Sequence, residues 1–353
     1  MLRLRPCYIL NCLRSQRAIT AKAAQLKRQE RGALKMTNDF DNSQDMRNSR
    51  PPLQGGPASD EVKRATKQIG YLTKSGQFGD AWQLFETLQE RGTVEYCVGL
   101  HLCAQAGWLD EARALWADMG QDLKNVVAYT AMLKVFANAK RVRDAEQLFD
   151  EMQTHAVAPN IITYNTLVSA YGMRSMAEQA KSTFDSIPAD VWAEAGDSSR
   201  QASYAGVMFA HARVGDYAAT RELFMDMTSK QVAPNKTHFN ALLTSCTQQG
   251  LTETARAIFD MLPHYNIKPE CDMWTALISC HRQDLGQCKQ ILSNMQSAGV
   301  QPSGLTYQVL LNAHVHAGDG PGARELVEDM EKFGAWKESY VTQQLAAEAA
   351  QLP

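Results

Sequence analysis

The 353-residue chain contains no run of 18 apolar residues, so no bilayer-spanning helix is expected. Its eight cysteines (7, 12, 97, 103, 246, 271, 280 and 288) include no Cys-x-x-Cys pair. This argues against a disulfide framework and reads as reduced thiols on helix faces. The signature of a zinc deaminase is absent: no histidine opens a His-x-Glu, and Pro-Cys-x-x-Cys does not occur. The closest cluster, Cys280-His281 with Cys288, falls on a helix pair and reads as packing, so no metal is expected. His314 and His316 lie on different sides of one helix, and Glu325, Glu328 and Asp329 on a solvated outer face. A P-loop, a dinucleotide fingerprint and a Ser-His-Asp signature are all missing. The expectation is a protein that is not an enzyme and takes no cofactor, metal or small-molecule substrate.

Acid is also missing at the start. Residues 1–29 carry Arg3, Arg5, Arg14, Arg17, Lys22, Lys27 and Arg28 without one Asp or Glu. Arg-rich and acid-poor composition predicts an organelle transit peptide over residues 1–35, for a mitochondrion or a chloroplast alike. A disordered basic arm that touches nucleic acid is the alternative. Residues 36–61, with Arg50-Pro51-Pro52 and Gly55-Gly56-Pro57, read as a flexible linker. Residues 1–40 hold nine Lys/Arg and two Asp/Glu, which leaves 27 basic and 36 acidic residues in the remainder, near −9. Strong nonspecific attraction to polyanions needs the opposite sign.

What the chain does have is a repeat of about 35 residues. Ala158-Pro159-Asn160-Ile161-Ile162-Thr163-Tyr164-Asn165 is answered by Ala233-Pro234-Asn235-Lys236-Thr237-His238-Phe239-Asn240 and by Lys268-Pro269-Glu270-Cys271-Asp272-Met273-Trp274-Thr275. Self-similarity at this period predicts an all-α architecture, a solenoid of stacked helix-turn-helix units with a long binding surface. In residues 126–160, Tyr129, Met132, Leu133 and Phe136 recur at helical spacing, then Val142, Ala145, Leu148, Phe149 and Met152 mark a second amphipathic helix. Glycines 76, 107, 215, 250 and 318 suit the turn between helices. Ala81, Ala112, Ala145, Ala180, Ala255 and Ala323 follow five residues after the turn position and predict close helix crossings. Eight units are read: 62–92, 93–125, 126–160, 161–200, 201–235, 236–270, 271–303 and 304–338. The fourth carries an insertion after Pro188, expected as a surface loop, and residues 339–353 read as a capping helix.

These units resemble the pentatricopeptide repeat. The likeness rests on Val127-Ala128-Tyr129-Thr130-Ala131-Met132-Leu133, on Asp144-Ala145-Glu146-Gln147-Leu148-Phe149-Asp150-Glu151-Met152 and on Val157-Ala158-Pro159-Asn160, and spans residues 62–338. The tetratricopeptide repeat fits less well, since it wants a small residue where Met152, Met227 and Met330 stand. The resemblance, to the P class without an editing-deaminase tail, implies a right-handed α-solenoid superhelix that binds single-stranded RNA in organelles. It implies that the fifth and last residues of a repeat specify one base, with the second residue, Val127 or Ile162, sandwiching its plane. Carried over, Thr130 with Asn160 suits adenine. Asn240 with Glu270 and Asn165 suggest pyrimidines, the partner of Asn165 being displaced to Arg200, and Thr275 with Ser303 is purine-like. Cys97 with Asn125, Ala205 with Asn235, and Gln308 with Glu338 match no strong pair. Lys74, Lys134 and Arg213 are candidate phosphate contacts. The expected function is an RNA-binding adaptor in RNA processing, stability or translation, acting alongside organellar processing or ribosomal proteins. The acidic array keeps a second reading open, a scaffold that binds a protein partner without RNA readout. With fifteen residues after the last repeat, no nuclease domain is expected.

Overall fold

A computed structural model of the chain describes residues 60–89, 91–332 and 347–348. The expected transit segment, the linker up to residue 59 and the cap apart from residues 347–348 lie outside the described residues, as does Glu338. Among the described residues there are 17 α-helices, two short 3-10 turns and no strand. They run α1 (Asp60–Lys74), α2 (Phe78–Glu86), α3 (Thr93–Ala106), α4 (Leu109–Asp118), α5 (Val126–Asn138), α6 (Val142–Thr154), α7 (Ile161–Met173), α8 (Ala177–Asp185) and α9 (Ala189–Glu194). Then come α10 (Asp197–Arg213), α11 (Tyr217–Ser229), α12 (Lys236–Thr247), α13 (Thr252–Met261), α14 (Cys271–Cys280), α15 (Leu285–Ser297), α16 (Gly304–Ala317) and α17 (Gly320–Lys332). None is long and apolar enough to cross a membrane.

The two helices of a unit differ in how much of their surface they hide. α5 buries Ala128, Tyr129, Met132, Leu133, Val135, Phe136 and Ala137, whereas α6 buries only Val142, Ala145, Leu148 and Met152. The reason is position. α5 packs on α3 before it, α7 after it and α6 beside it, so apolar residues are needed nearly all round. α6 presents one stripe inward. First helices therefore stack into one layer and second helices into another, the arrangement of an α-solenoid.

Local signals set the boundaries. Asn125, Asn160, Asn235 and Ser303 cap α5, α7, α12 and α16 by accepting backbone N–H bonds of the first turn, and Asp216 and Asp284 do so for α11 and α15. Gly107, at φ 78°, closes α3 in the left-handed conformation, and Gly318 does so for α16. Lys140 and Ser175 occupy the same turn at φ 57° and 59°, so the turn shape is kept where glycine is not. The alanine register is fully buried, from Ala81 to Ala323. In the two units without alanine the place is taken by Thr220 and Cys288, both wholly buried and hydrogen-bonded to backbone carbonyls.

The insertion after Pro188 is helical, which corrects the expected loop. Its α9 seats Trp192 against Phe184 and Tyr204, with ring centroids 5.7 and 5.8 Å away. An Ala/Gly/Asp/Ser-rich sequence around one tryptophan reads as a loop, but that ring has a core edge to pack on. The insertion also lengthens α10 at its start, so Arg200 lies within a helix, its guanidinium donating to the carbonyls of Trp192 and Ala193.

Candidate nucleic-acid interface

The first helices α3, α5, α7 and α10 line adjoining concavities. Cys97 and His101 of α3, Val127, Thr130 and Lys134 of α5, Asn160, and Ile162, Asn165 and Ser169 of α7 share one concavity. It adjoins a second, formed by Ser169 and Met173, by Ala202, Ala205, Phe209 and Arg213 of α10, and by Asn235 and Thr237. Val127 and Ile162 stand 56% exposed on its wall, among the few large apolar side chains left in solvent. Val94 and Leu305 hold the same register in α3 and α16 and are also exposed. At this position α10, α12 and α14 present Ala202, Thr237 and Asp272 instead.

Thr130 and Asn160 are brought together through a residue that the base-specifying set omits. Thr163, fully buried, places its hydroxyl 2.8 Å from Thr130 Oγ1 and 3.0 Å from Asn160 Oδ1. Thr130 also sits 2.7 Å from the Val126 carbonyl, and Asn160 Oδ1 accepts the Thr163 amide at 3.0 Å. The amide oxygen of Asn160 is thus committed to the cap, which leaves its NH2 to face outward. The same triad recurs four units on: Thr306, fully buried, lies 2.7 Å from Thr275 Oγ1 and 3.0 Å from Ser303 Oγ.

Elsewhere the pairs differ. Asn165 is not matched with Arg200. Ser203, buried in the bridging place, donates to Asn165 Oδ1 at 2.6 Å, and Asn165 Nδ2 donates to the Ser199 carbonyl at 3.0 Å. Both ends of that amide are engaged, so Asn165 keeps one N–H. Asn240 and Glu270 are not linked either. The bridging position holds the apolar Met273, Asn240 Oδ1 is buried without a partner, and Glu270 turns to Lys236 Nζ at 2.8 Å. Asn125 caps α5 through Val127 and Ala128 N–H, with Ala128 where a bridge to Cys97 would stand. Arg213 donates to Ser175 Oγ at 3.3 Å on the groove edge. Sequence reasoning passed over the bridge because a Thr at the third position of a helix reads as an ordinary capping residue. Its partner lies 33 residues upstream.

Behind Ala205 and Asn235 the bridge is His238. It is fully buried; Nδ1 accepts the Asn235 N–H at 3.1 Å and Nε2 donates to the Gln201 carbonyl at 2.9 Å. Burial holds this imidazole below its ordinary range, against the bond to the Gln201 carbonyl, which works the other way. A proton on Nδ1 would face the Asn235 N–H directly. The unfolded chain therefore takes up the proton first, and stability is lost as pH falls below about 6.5. Chemical denaturation at pH 7.5 and 5.5 checks this. A large part of the loss should disappear in His238→Gln; an unchanged loss in that variant would place the effect elsewhere.

Three family models match the chain: the PPR repeat family over residues 124–173, the PPR repeat over 162–189, and the pentacotripeptide-repeat region of PRORP over 200–344. Together they account for more than half of it. The chain belongs to the pentatricopeptide repeat family. Among similar members, the chloroplastic pentatricopeptide repeat-containing protein At3g09650 of Arabidopsis thaliana is 27% identical over 210 residues, 58% of this chain and 26% of that one. The putative mitochondrial member At3g11460 of the same plant is 24% identical over 275 residues, 75% of this chain and 42% of its own. The chain thus spans about a quarter to two fifths of the length of these relatives. Among solved structures, the pentatricopeptide repeat protein PPR10 in complex with an 18-nt psaJ RNA element superimposes with a TM-score of 0.65 at 17% identity, covering 76% of this chain and 40% of that one. That likeness shows the fold. Chloroplastic and mitochondrial names among the relatives put this pentatricopeptide repeat protein in an organelle without deciding which.

Proposed function

We propose that this protein is an organellar adaptor that binds single-stranded RNA and reads part of its sequence. The observation that carries the reading is the Thr130–Thr163–Asn160 triad beside exposed Val127 and Ile162. With its oxygen held by the cap, Asn160 offers N–H groups, and Thr130 offers oxygen lone pairs. Adenine presents the complement on its Watson–Crick edge, an acceptor N1 beside a donor N6. Val127 and Ile162 supply apolar surface for the two faces of the ring. The Thr275–Thr306–Ser303 triad is a second, similarly built slot. The family likeness and the RNA element bound by the structural relative support the same class of ligand. The protein acts by occupancy, shielding a short segment or placing organellar RNA-processing or ribosomal proteins on it.

In vitro selection from a random RNA pool with the full chain tests this, followed by anisotropy on the enriched motif. The expected motif holds adenine at the Thr130 slot. Thr130→Ala should weaken that motif by about 1–3 kcal/mol, by analogy with good base contacts, and a scrambled RNA far less. Equal weakening of both would reject base reading. A second reading, a protein partner, is favoured by one observation: Glu270 and Asp272 place carboxylates at the start of α14, where a phosphodiester chain would be repelled. Enrichment of no motif, with binding lost by about 150 mM salt, would turn the assignment to that partner.

A further inference from the structure

On the groove wall, one helical turn beyond the base-facing residues, lies a cluster of a different kind. His101 follows Cys97 by four residues and Lys134 follows Thr130 by four. Both line the same concavity as Val127, Thr130 and Asn160. Lys74, in the last turn of α1, acts on His101 electrostatically together with Lys134. The ninth place of the unit, which His101 and Lys134 fill in consecutive units, is Ser169 in α7, Phe209 in α10, Thr244 in α12, Ser279 in α14 and Asn312 in α16. The cationic pair is therefore confined to the unit that opens the Thr130 slot and the unit just before it. One turn of helix separates it from the base contacts, about 5.4 Å, the scale on which a sugar separates a base from its phosphate.

We infer that Lys74, His101 and Lys134 form a phosphodiester site, with His101 as its central ligand, that grips the RNA backbone next to the Thr130–Asn160 slot. The inference rests on the RNA-binding reading above. In the free protein His101 is flanked by cations. Partial burial, then Lys134, then Lys74 hold its imidazole below the ordinary histidine range, so it is neutral near pH 7. Of the helices packed on α3, α1 contributes Lys74 and α5 contributes Lys134. α2 and α4 meet α3 through Phe85 and Leu115 around Gly99, and of the α4 carboxylates that act on α3, Glu111 acts on Cys103 and Asp118 accepts the Tyr96 hydroxyl at 2.7 Å. A phosphate between the two lysines reverses the balance. It screens both cations and accepts a hydrogen bond from the imidazolium, so RNA binding draws a proton onto His101. Affinity consequently rises as pH falls from about 8 toward the free-state value.

The test is anisotropy of the selected RNA with the full chain at pH 7.8 and 5.8, at two salt concentrations, for the native protein and His101→Gln. The native protein should bind about tenfold tighter at the lower pH, one pKa unit of linkage, with a salt dependence steeper by about 0.7 in log–log slope. His101→Gln should bind with a shallow, pH-independent salt slope, and His101→Lys should bind tightly at both pH values. His101 is solvent-exposed, so these variants should keep the native melting curve. An imidazole titration by NMR, with and without inorganic tripolyphosphate, reads the proton directly and does not depend on RNA. A pH dependence identical in the native protein and His101→Gln overturns the site while leaving RNA binding intact. No RNA binding, with an imidazole that tripolyphosphate does not shift, overturns both. No RNA binding, with an imidazole that does shift, rejects the RNA reading and upholds the anion site.

Discussion

Replacing Tyr204 by alanine should cost about 3–5 kcal/mol, the largest single-residue loss expected in the described array. Tyr204 is fully buried in α10. Its ring meets Phe184 at 5.0 Å and Trp192 at 5.8 Å, and its hydroxyl donates to Asp226 Oδ2 at 2.6 Å. Asp226 in turn holds Lys230 at 2.9 Å. Removing the ring leaves a cavity at the junction of α8, α9 and α10 and takes one hydrogen bond from the Asp226 carboxylate of α11, which keeps Lys230. Tyr204→Phe separates the two contributions, since it keeps the ring and loses only the charge-assisted bond, about 1.5–3 kcal/mol. Because units of a solenoid contact only their neighbours, the loss should be regional. Hydrogen exchange should rise in α7 to α11 and stay slow in α3 to α5. Uniform loss of protection along the chain would show that the array behaves as one cooperative block.

Asn160→Asp should change which base the Thr130 slot prefers without unfolding α7. The carboxylate keeps the oxygen that accepts the Thr163 N–H, so the cap survives within a few tenths of a kcal/mol. What it loses is the NH2 turned to the groove. Adenine N1 would then face an acceptor, whereas guanine N1–H and N2–H2 would face one with profit in hydrogen bonding. Affinity for the adenine RNA should fall by about 1–3 kcal/mol, and an RNA with guanine at that place should overtake it. Anisotropy on the two RNAs, differing at one base, measures the crossover. Asn160→Ala is the poorer probe. It removes the cap as well, about 1 kcal/mol of helix stability, and confounds reading with folding. If both RNAs weaken equally with Asn160→Asp while the melting curve is unchanged, Asn160 does not face a base.

The fold was legible because its information is periodic. Tyr129, Met132, Leu133 and Phe136 repeat along a helix, and the alanine and methionine registers repeat between units. Each repetition reinforces the same assignment. The insertion carries no such echo. Trp192 occurs once, and its partners Phe184 and Tyr204 come together only by tertiary packing. The candidate site was half legible. Thr130, Asn160, Val127 and Ile162 are singled out by their place in the repeat that the chain resembles, and they share one concavity. Thr163, Ser203, His238 and Thr306 were not found, although all four are polar and fully buried. Their work is done across a helix stack, on residues that a linear reading assigns to the preceding unit or to the cap.

That displacement bears on how such an array is inherited or rebuilt. Thr163 belongs to the unit 161–200, while the slot that it completes opens with Thr130 in the unit 126–160. A splice between Asn160 and Ile161, the natural seam of the repeat, would carry Thr130 and Asn160 away together and leave behind the hydroxyl that holds them. A junction placed after Thr163 moves the slot entire. The stretch that duplicates and the stretch that recognises are out of phase by three residues, and grafted arrays should be cut in the second frame.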